Sequence, residues 1–410
     1  MSAGFVAEKE SGHGRSDGGG SFWVTQSVDR LTCVSTLEVP VLWFEGDEED
    51  ESTERIADAA RGAVVAPSDW TAATIVDQIR RKRIELSPSF QRRDAWRATR
   101  KSRFIESLIV GIPVPQVVLA EIQPGSYIVI DGKQRLLALY QFFDGSLALS
   151  GLNIRPDLGG ATYLSLPEPD RERLENQTLR AVFLRNWTSV DFLYHVFIRL
   201  NSESLPLSPQ ELRGALFPGP FLEYADDLTT HSAAFHRMLR LEGPDFRMRD
   251  VELLIRFYGF DFFLGEYRGN LRALLDRTCK NLNRAWKKDA EVIMARGAAC
   301  EAAIEVILDV FRDAAFRRWQ GNRLVRSFNK AVFDCLTFYA KDPDIATRMR
   351  EFAEPTKDAF RALCAEKRFV ESVTATTKSV DNTGYRLSAW ASALGEAIGT
   401  DIAPAVVGKR

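Results

Sequence analysis

Between Ile84 and Phe143 the apolar residues switch between two spacings, and the switches mark out the local elements. Ile84-Glu85-Leu86 reads as a short strand, followed by a polar loop from Ser87 to Arg93. Phe104, Ile105, Leu108 and Ile109 then recur at helical spacing, which predicts a helix over 98–110 with one face on a core. Gly111-Ile112-Pro113-Val114-Pro115 stops it. Two apolar runs, 117–122 and 127–130, flank Gln123-Pro124-Gly125-Ser126 and predict a hairpin. A further helix over 132–143 places Leu136, Leu139, Tyr140 and Phe143 on one face. Strand, loop, helix, hairpin and helix in that order give an α+β domain. Upstream, Pro67-Ser68-Asp69-Trp70 predicts the start of a helix over 70–82, capped by Ser68 or Asp69. Beyond about Val190 the spacing is helical, with helices expected over 190–200, 208–216, 248–264, 270–285, 288–316, 329–340 and 345–367. No fixed-period repeat stands out.

The chain thus divides into a flexible N-terminal extension (1–66), an α+β domain (67–190) and an α-helical domain (191–410). The extension combines a Gly/Ser-rich stretch to about Asp29, a β-prone stretch from Leu31 to Phe44, and an acidic run from Glu45 to Glu54 that reads as a solvated linker. A composition of 45% hydrophobic and 27% charged residues suits a protein with a sizeable core. The net charge of -2 gives no global attraction to nucleic acid or membrane, so any such signal must be local. No apolar run reaches the length of a membrane span, and the first thirty residues lack the apolar centre of a secretory signal. A cytoplasmic protein without membrane partners is expected. Cys33, Cys279, Cys300, Cys335 and Cys364 show no metal-ligand spacing and read as reduced core residues.

The chemistry concentrates at Asp131-Gly132-Lys133-Gln134-Arg135, where a buried strand turns into a helix. Gly132 permits a tight turn, and the helix start offers free N–H groups and a positive dipole end. Lys133 and Arg135 add cations, Gln134 can orient a water, and Asp131 could hold a divalent metal or act as a general base. The alternative is simpler: Asp131 caps the helix and the cations are surface residues. A second segment, Phe90-Gln91-Arg92-Arg93-Asp94-Ala95-Trp96, offers an amide, two guanidiniums and an indole suited to phosphate and base recognition. It lies in a basic stretch from Arg80 to Arg103 that includes Arg97, Arg100 and Lys101, either a solvated face or a polyphosphate or nucleic-acid surface. A third segment carries Asn201, then Ser208, Pro209 and Glu211 in the pattern of a capping box. Asn201, Glu211 and Arg213 could line a cleft against the α+β domain. His231 and His236 are five apart and do not share a helix face, and no phosphate-binding loop, zinc-protease or serine-hydrolase motif is present.

FQRRDAW, FIESLIVGIPVPQVVLAE and YIVIDGKQRLLAL together resemble the N-terminal domain of GmrSD-type restriction proteins. FIRLNSESLPLSPQELRGALFPGPF, FRMRDVELLIRFYGFDFFLGEYRGNLRALL and FNKAVFDCLTFYA extend the resemblance in the same order, from about Trp70 to Ala340. The resemblance implies a ParB/sulfiredoxin-like fold with a small mixed sheet, followed by helices, and NTP binding or hydrolysis with Mg2+ coupled to DNA restriction. The family's core motif is Asp-Gly-Gln-Gln-Arg, so Asp131, Gly132, Gln134 and Arg135 match, while Lys133 replaces the first Gln. Gln91 and Arg92 match its upstream Gln-Arg pair, and Asn201, Glu211 and Arg213 match later positions. On this basis Asp131, Gln134 and Arg135 are expected to be catalytic, with Asp131 also the metal ligand. Gln91, Arg92, Gly132, Lys133 and Asn201 are expected to bind nucleotide, and Arg93, Arg97, Arg100 and Lys101 to face DNA. Many relatives continue into an HNH-type nuclease, but the last histidine here is His236. A stand-alone member is therefore expected, one that partners a separately encoded nuclease or senses DNA, with self-association possible. Non-catalytic binding of nucleotide or DNA is the alternative, and a nuclease built on the ParB-like site is the remaining one.

Overall fold

The computed structural model describes residues 44–45, 62–86, 93–200 and 208–408, and in it the apolar runs of the first half form a five-stranded mixed sheet. Its strands are β1 (Val64–Thr71), β2 (Ile84–Glu85), β3 (Val117–Gln123), β4 (Ser126–Asp131) and β5 (Thr178–Arg185), in the order β1-β5-β3-β4-β2. β3 and β4 form the expected hairpin, with Gly125 at a φ of 76° in the turn. The outer pairs differ: β1 runs antiparallel to β5, and β2 parallel to β4.

Alternate residues of the strands enter two cores. Val117, Leu119, Tyr127, Val129, Ala181 and Phe183 pack beneath α1 (Ala72–Arg80), α2 (Ala98–Val110), α3 (Lys133–Phe143) and α4 (Glu168–Asn176). Val118, Ala120, Ile128 and Ile130 pack against Leu193, Tyr194 and Phe197 of α5 (Val190–Leu200) and Leu212 and Ala215 of α6 (Pro209–Leu216). Burial on both faces explains why β3 and β4 read as continuous apolar runs rather than alternating ones. The helices beyond residue 190 therefore divide between two structures: α5 and α6 cover the sheet, and those from Pro220 onward build a separate helical core.

The helix expected over 70–82 is corrected. Residues 64–71 form an edge strand paired with β5, and the helix starts at Ala72, capped by Thr71, whose Oγ1 accepts from the Thr74 N–H at 3.1 Å. Proline is tolerated in an edge strand, so Pro67 marks no helix start.

In the helical half, α7 (Pro220–His231), α8 (Ala233–Leu239) and α9 (Arg249–Phe263) pack along α10 (Leu271–Phe311). α10 merges the two helices expected over 270–285 and 288–316, with a kink at Asp289, where φ is -118° and ψ is 20°. α11 (Lys330–Ala340), α12 (Pro343–Glu351), α13 (Ala353–Leu363), α14 (Lys367–Thr374) and α15 (Val380–Ile398) complete the core. The helix expected over 345–367 is two, α12 and α13, broken at Phe352. Cys279, Cys300, Cys335 and Cys364 are buried free thiols. Burial pushes the Cys279 thiol up to about 12 and Cys364 up to about 11. No described helix is long and apolar enough to cross a membrane. The Gly/Ser-rich stretch, Cys33 and most of the β-prone and acidic stretches lie outside the described residues.

One buried carboxylate fixes the loop that follows α3. Glu106 of α2 accepts from the backbone N–H groups of Asn153 at 3.2 Å, Ile154 at 2.7 Å and Arg155 at 2.7 Å. Burial opposes its ionisation, but these hydrogen bonds outweigh it, and the carboxyl lies below its ordinary 4.5. A folded value below the unfolded one stabilises the fold above the ordinary value and loses that effect as pH falls through the folded value. Glu106→Gln should therefore cost about 1–3 kcal/mol at pH 7 in urea denaturation. The gap to wild type should narrow as pH falls through and below the ordinary carboxylate range; a gap equal at neutral and acid pH would refute the charged anchor.

Candidate functional site

β4 delivers Asp131 at its end, beside Val118 of β3. Gly132 then takes a left-handed conformation, with φ 94° and ψ 11°, and α3 begins at Lys133. A side chain there would meet Val117 Cγ1 at 2.6 Å and Arg135 Nη2 at 3.2 Å, so both backbone angle and packing require glycine. No side chain caps α3. The Asp131 carboxylate instead accepts from Arg135 Nη2 at 2.7 Å, and the same nitrogen donates to the Gln116 carbonyl at 2.9 Å. That settles one of the two readings left by the sequence: Asp131 is not the helix cap. Among the described residues, Gln134 Oε1 and Arg135 Nε are buried without a hydrogen-bond partner. Buried polar atoms are nearly always satisfied, so two orphans in one motif at an uncapped helix start mark a place where polar atoms of a ligand or water fit.

Lys133 is placed differently from the expectation that it holds a phosphate. It is 3% exposed, and its Nζ donates to Glu211 Oε1 on α6. A cation in the first turn of a helix opposes the helix dipole, and Glu211 offsets it. Glu211 is fixed in turn by the capping box read from the sequence: its Oε2 accepts from the Ser208 N–H at 2.7 Å, while the Glu211 N–H donates to Ser208 Oγ at 3.1 Å. Lys133 thus joins α6 to the turn. Arg213, two residues on, turns toward the helical core, donating to Asp276 at 2.7 Å and to Gln210 at 2.7 Å. It does not line a cleft beside the turn.

The basic stretch also divides. Arg93, expected on a DNA face, is 2% exposed. It donates to Asp226 at 2.7 Å, to both Asp250 oxygens at 2.7 and 2.9 Å, to the Asp245 carbonyl at 2.6 Å and to Thr229 at 3.0 Å. Burial works against charge on both partners and lifts the Asp250 carboxyl above its ordinary range, while the guanidinium, held by Asp250 and Asp226, stays above its own and remains charged. Lys101, the second correction, is buried and donates to Asp94 and, at 2.7 Å, to Gln141 of α3. Arg97 and Arg100 remain exposed, with Arg100 stacked 4.6 Å over Trp96. Arg103 is exposed one turn further along α2, so the three arginines form one stripe.

Gln91, Arg92 and Asn201 lie outside the described residues. Among the described residues no three His, Cys, Asp or Glu side chains gather as a metal site. Sequence reasoning missed Asp226, Asp245 and Asp250 as the receptors of Arg93. Asp250 lies in FRMRDVELL at the start of α9, one of the stretches already singled out, but its partner is 157 residues away.

A family model, GmrSD restriction endonuclease, N-terminal domain, matches residues 73–218. The match begins in α1 and ends just after α6, so it spans both helical layers of the sheet and the whole Asp131–Arg135 turn. Neither the curated proteins nor the solved structures contain a match. The sheet flanked by helices, the turn with its two orphaned polar atoms and the matched span coincide, and the chain carries, over residues 73–218, a GmrSD restriction endonuclease N-terminal domain.

Proposed function

We propose that this chain binds and hydrolyses a nucleoside triphosphate as part of a DNA-restriction or anti-phage defence system, with the Asp131–Arg135 turn as its phosphate site. The association with restriction follows from the matched domain. The observation that carries the nucleotide reading is the pair of orphaned atoms, Gln134 Oε1 and Arg135 Nε, at an uncapped helix start. The first-turn N–H groups of α3 and the Arg135 guanidinium favour a phosphate there, and Gln134 Oε1 would accept from a water aligned beside it. Magnesium, when bound with the nucleotide, would neutralise phosphate charge, and Asp131 would supply it a carboxylate oxygen. The stripe Arg97, Arg100 and Arg103 would meet DNA phosphates. A separately encoded nuclease is the partner this reading calls for, and ParB-like is the fold comparison it favours.

The test is phosphate release from ATP, GTP, CTP and UTP with magnesium, with and without duplex DNA. Asp131→Ala should lower turnover by about a hundredfold or more. Arg135→Gln should weaken nucleotide binding about tenfold or more. Absence of both binding and release for all four nucleotides in the wild type would overturn the reading. A second reading has its own support: Arg135 already engages the Asp131 carboxylate. A non-catalytic binding module would show saturable nucleotide binding with no phosphate release.

A further inference from the structure

The helical half carries a cavity of about 430 Å³ that the proposed nucleotide chemistry does not use. It lies where α8 meets the end of α10 and the turn that follows. Arg237, Arg240, Arg312 and Arg317 line it above an apolar floor that includes Met238 and Phe328. Glu305 accepts from Arg237 at 2.5 Å, and Asp313 accepts from Arg240 at 3.0 Å. The Asp313 carbonyl accepts from Arg317 at 2.9 Å. Among these described residues, four guanidiniums stand against the two carboxylates of Glu305 and Asp313.

The backbone is unusual at two of these arginines. Arg240 sits in the left-handed region with φ 54° and ψ 44°, and Arg312 has φ 50° and ψ -122°. Side chains rarely occupy the second conformation, and such strain persists only where the surroundings impose it. Burial and the neighbouring Arg240 push the Arg317 guanidinium below its ordinary range. Positive charge is therefore concentrated against itself, a condition that an anion relieves.

We propose that this cavity binds a small organic phosphate of nucleotide size, its phosphates on the arginines and its organic part over the apolar floor. The volume falls in the range of small-molecule sites, and the four cations line one concavity. Guanidiniums match phosphate oxygens in pairs, which suits a ligand with more than one phosphoryl group.

Equilibrium dialysis of full-length protein with ATP and with inorganic pyrophosphate tests this, using Arg135→Gln as background so that the Asp131 turn is set apart. Both probes should still bind in that background. Adding Arg240→Gln and Arg317→Gln should weaken both by about tenfold or more. Arg312→Gly guards against misfolding: it removes a guanidinium while relieving a positive φ, so thermal stability is kept or raised while ATP binding falls. No binding of either probe in the Arg135→Gln background would overturn the proposal. So would affinity for ATP and pyrophosphate left unchanged by the cavity substitutions. If instead the Asp131 turn binds no nucleotide, Arg135→Gln and wild type bind alike, and the cavity substitutions still decide the matter.

Discussion

Replacing Arg93 by alanine should destabilise the protein by about 3–5 kcal/mol, because it leaves buried carboxylates without their counter-charge. Asp226 and Asp250 have side chains no more than 4% and 1% exposed, so water cannot replace the guanidinium. The arginine also satisfies the Asp245 carbonyl and Thr229, which makes it the buried link from the end of the 87–92 segment to α7 and the start of α9. Guanidinium or urea denaturation measures the loss directly. Pairing Arg93→Met with Asp226→Asn and Asp250→Asn should recover part of it, since removing the whole charge set is milder than orphaning one side. A loss below about 1 kcal/mol for Arg93→Ala would mean that the cluster is solvated and the link does not hold.

The second large effect is expected at Gly132. Alanine there would have to adopt a φ of 94° and place its Cβ 2.6 Å from Val117 Cγ1. The left-handed backbone costs about 1–2 kcal/mol, and overpacking adds about 1–3 kcal/mol. The added carbon would also press on Arg135 Nη2, 3.2 Å away, and so disturb the Asp131 pair. Gly132→Ala should thus lose about 2–5 kcal/mol in denaturation, and the proposed nucleotide binding should fall more strongly than the stability loss alone explains. Val117→Ala in the same chain should relieve the clash but not the backbone term, giving partial recovery. Full wild-type stability in Gly132→Ala would show that the strand and helix do not meet in this conformation.

Local elements were legible wherever one period dominated. The helix expected over 98–110 is α2, Ala98–Val110, and the expected hairpin is β3 and β4. Apolar spacing and the stops at Gly111 and Gly125 were enough. The edge strand β1 was misread as a helix start because Pro67, Ser68 and Asp69 are helix-entry residues by composition. Its pairing with β5 lies far along the chain: Asp69 and Arg180, opposite each other, are 111 residues apart. The kink at Asp289 was legible only as a gap between two apolar patterns, and tertiary packing joined them into one helix.

By itself the sequence determined where the candidate site lies. Strand, glycine and helix start at Asp131 to Arg135 follow from neighbours along the chain, and so does the capping box at Ser208 and Glu211. Tertiary structure alone decided which charges that site can use. Lys133 is taken by Glu211, 78 residues on, and Arg93 by Asp226 and Asp250, 133 and 157 residues on. Lys101 turns inward to Gln141 of α3, while Arg97 and Arg100 on the same helix face solvent. The physical reason is that local spacing fixes the side of an element on which a charge stands. Whether that side meets water or a distant carboxylate is set by packing, and burial makes the pairing obligatory.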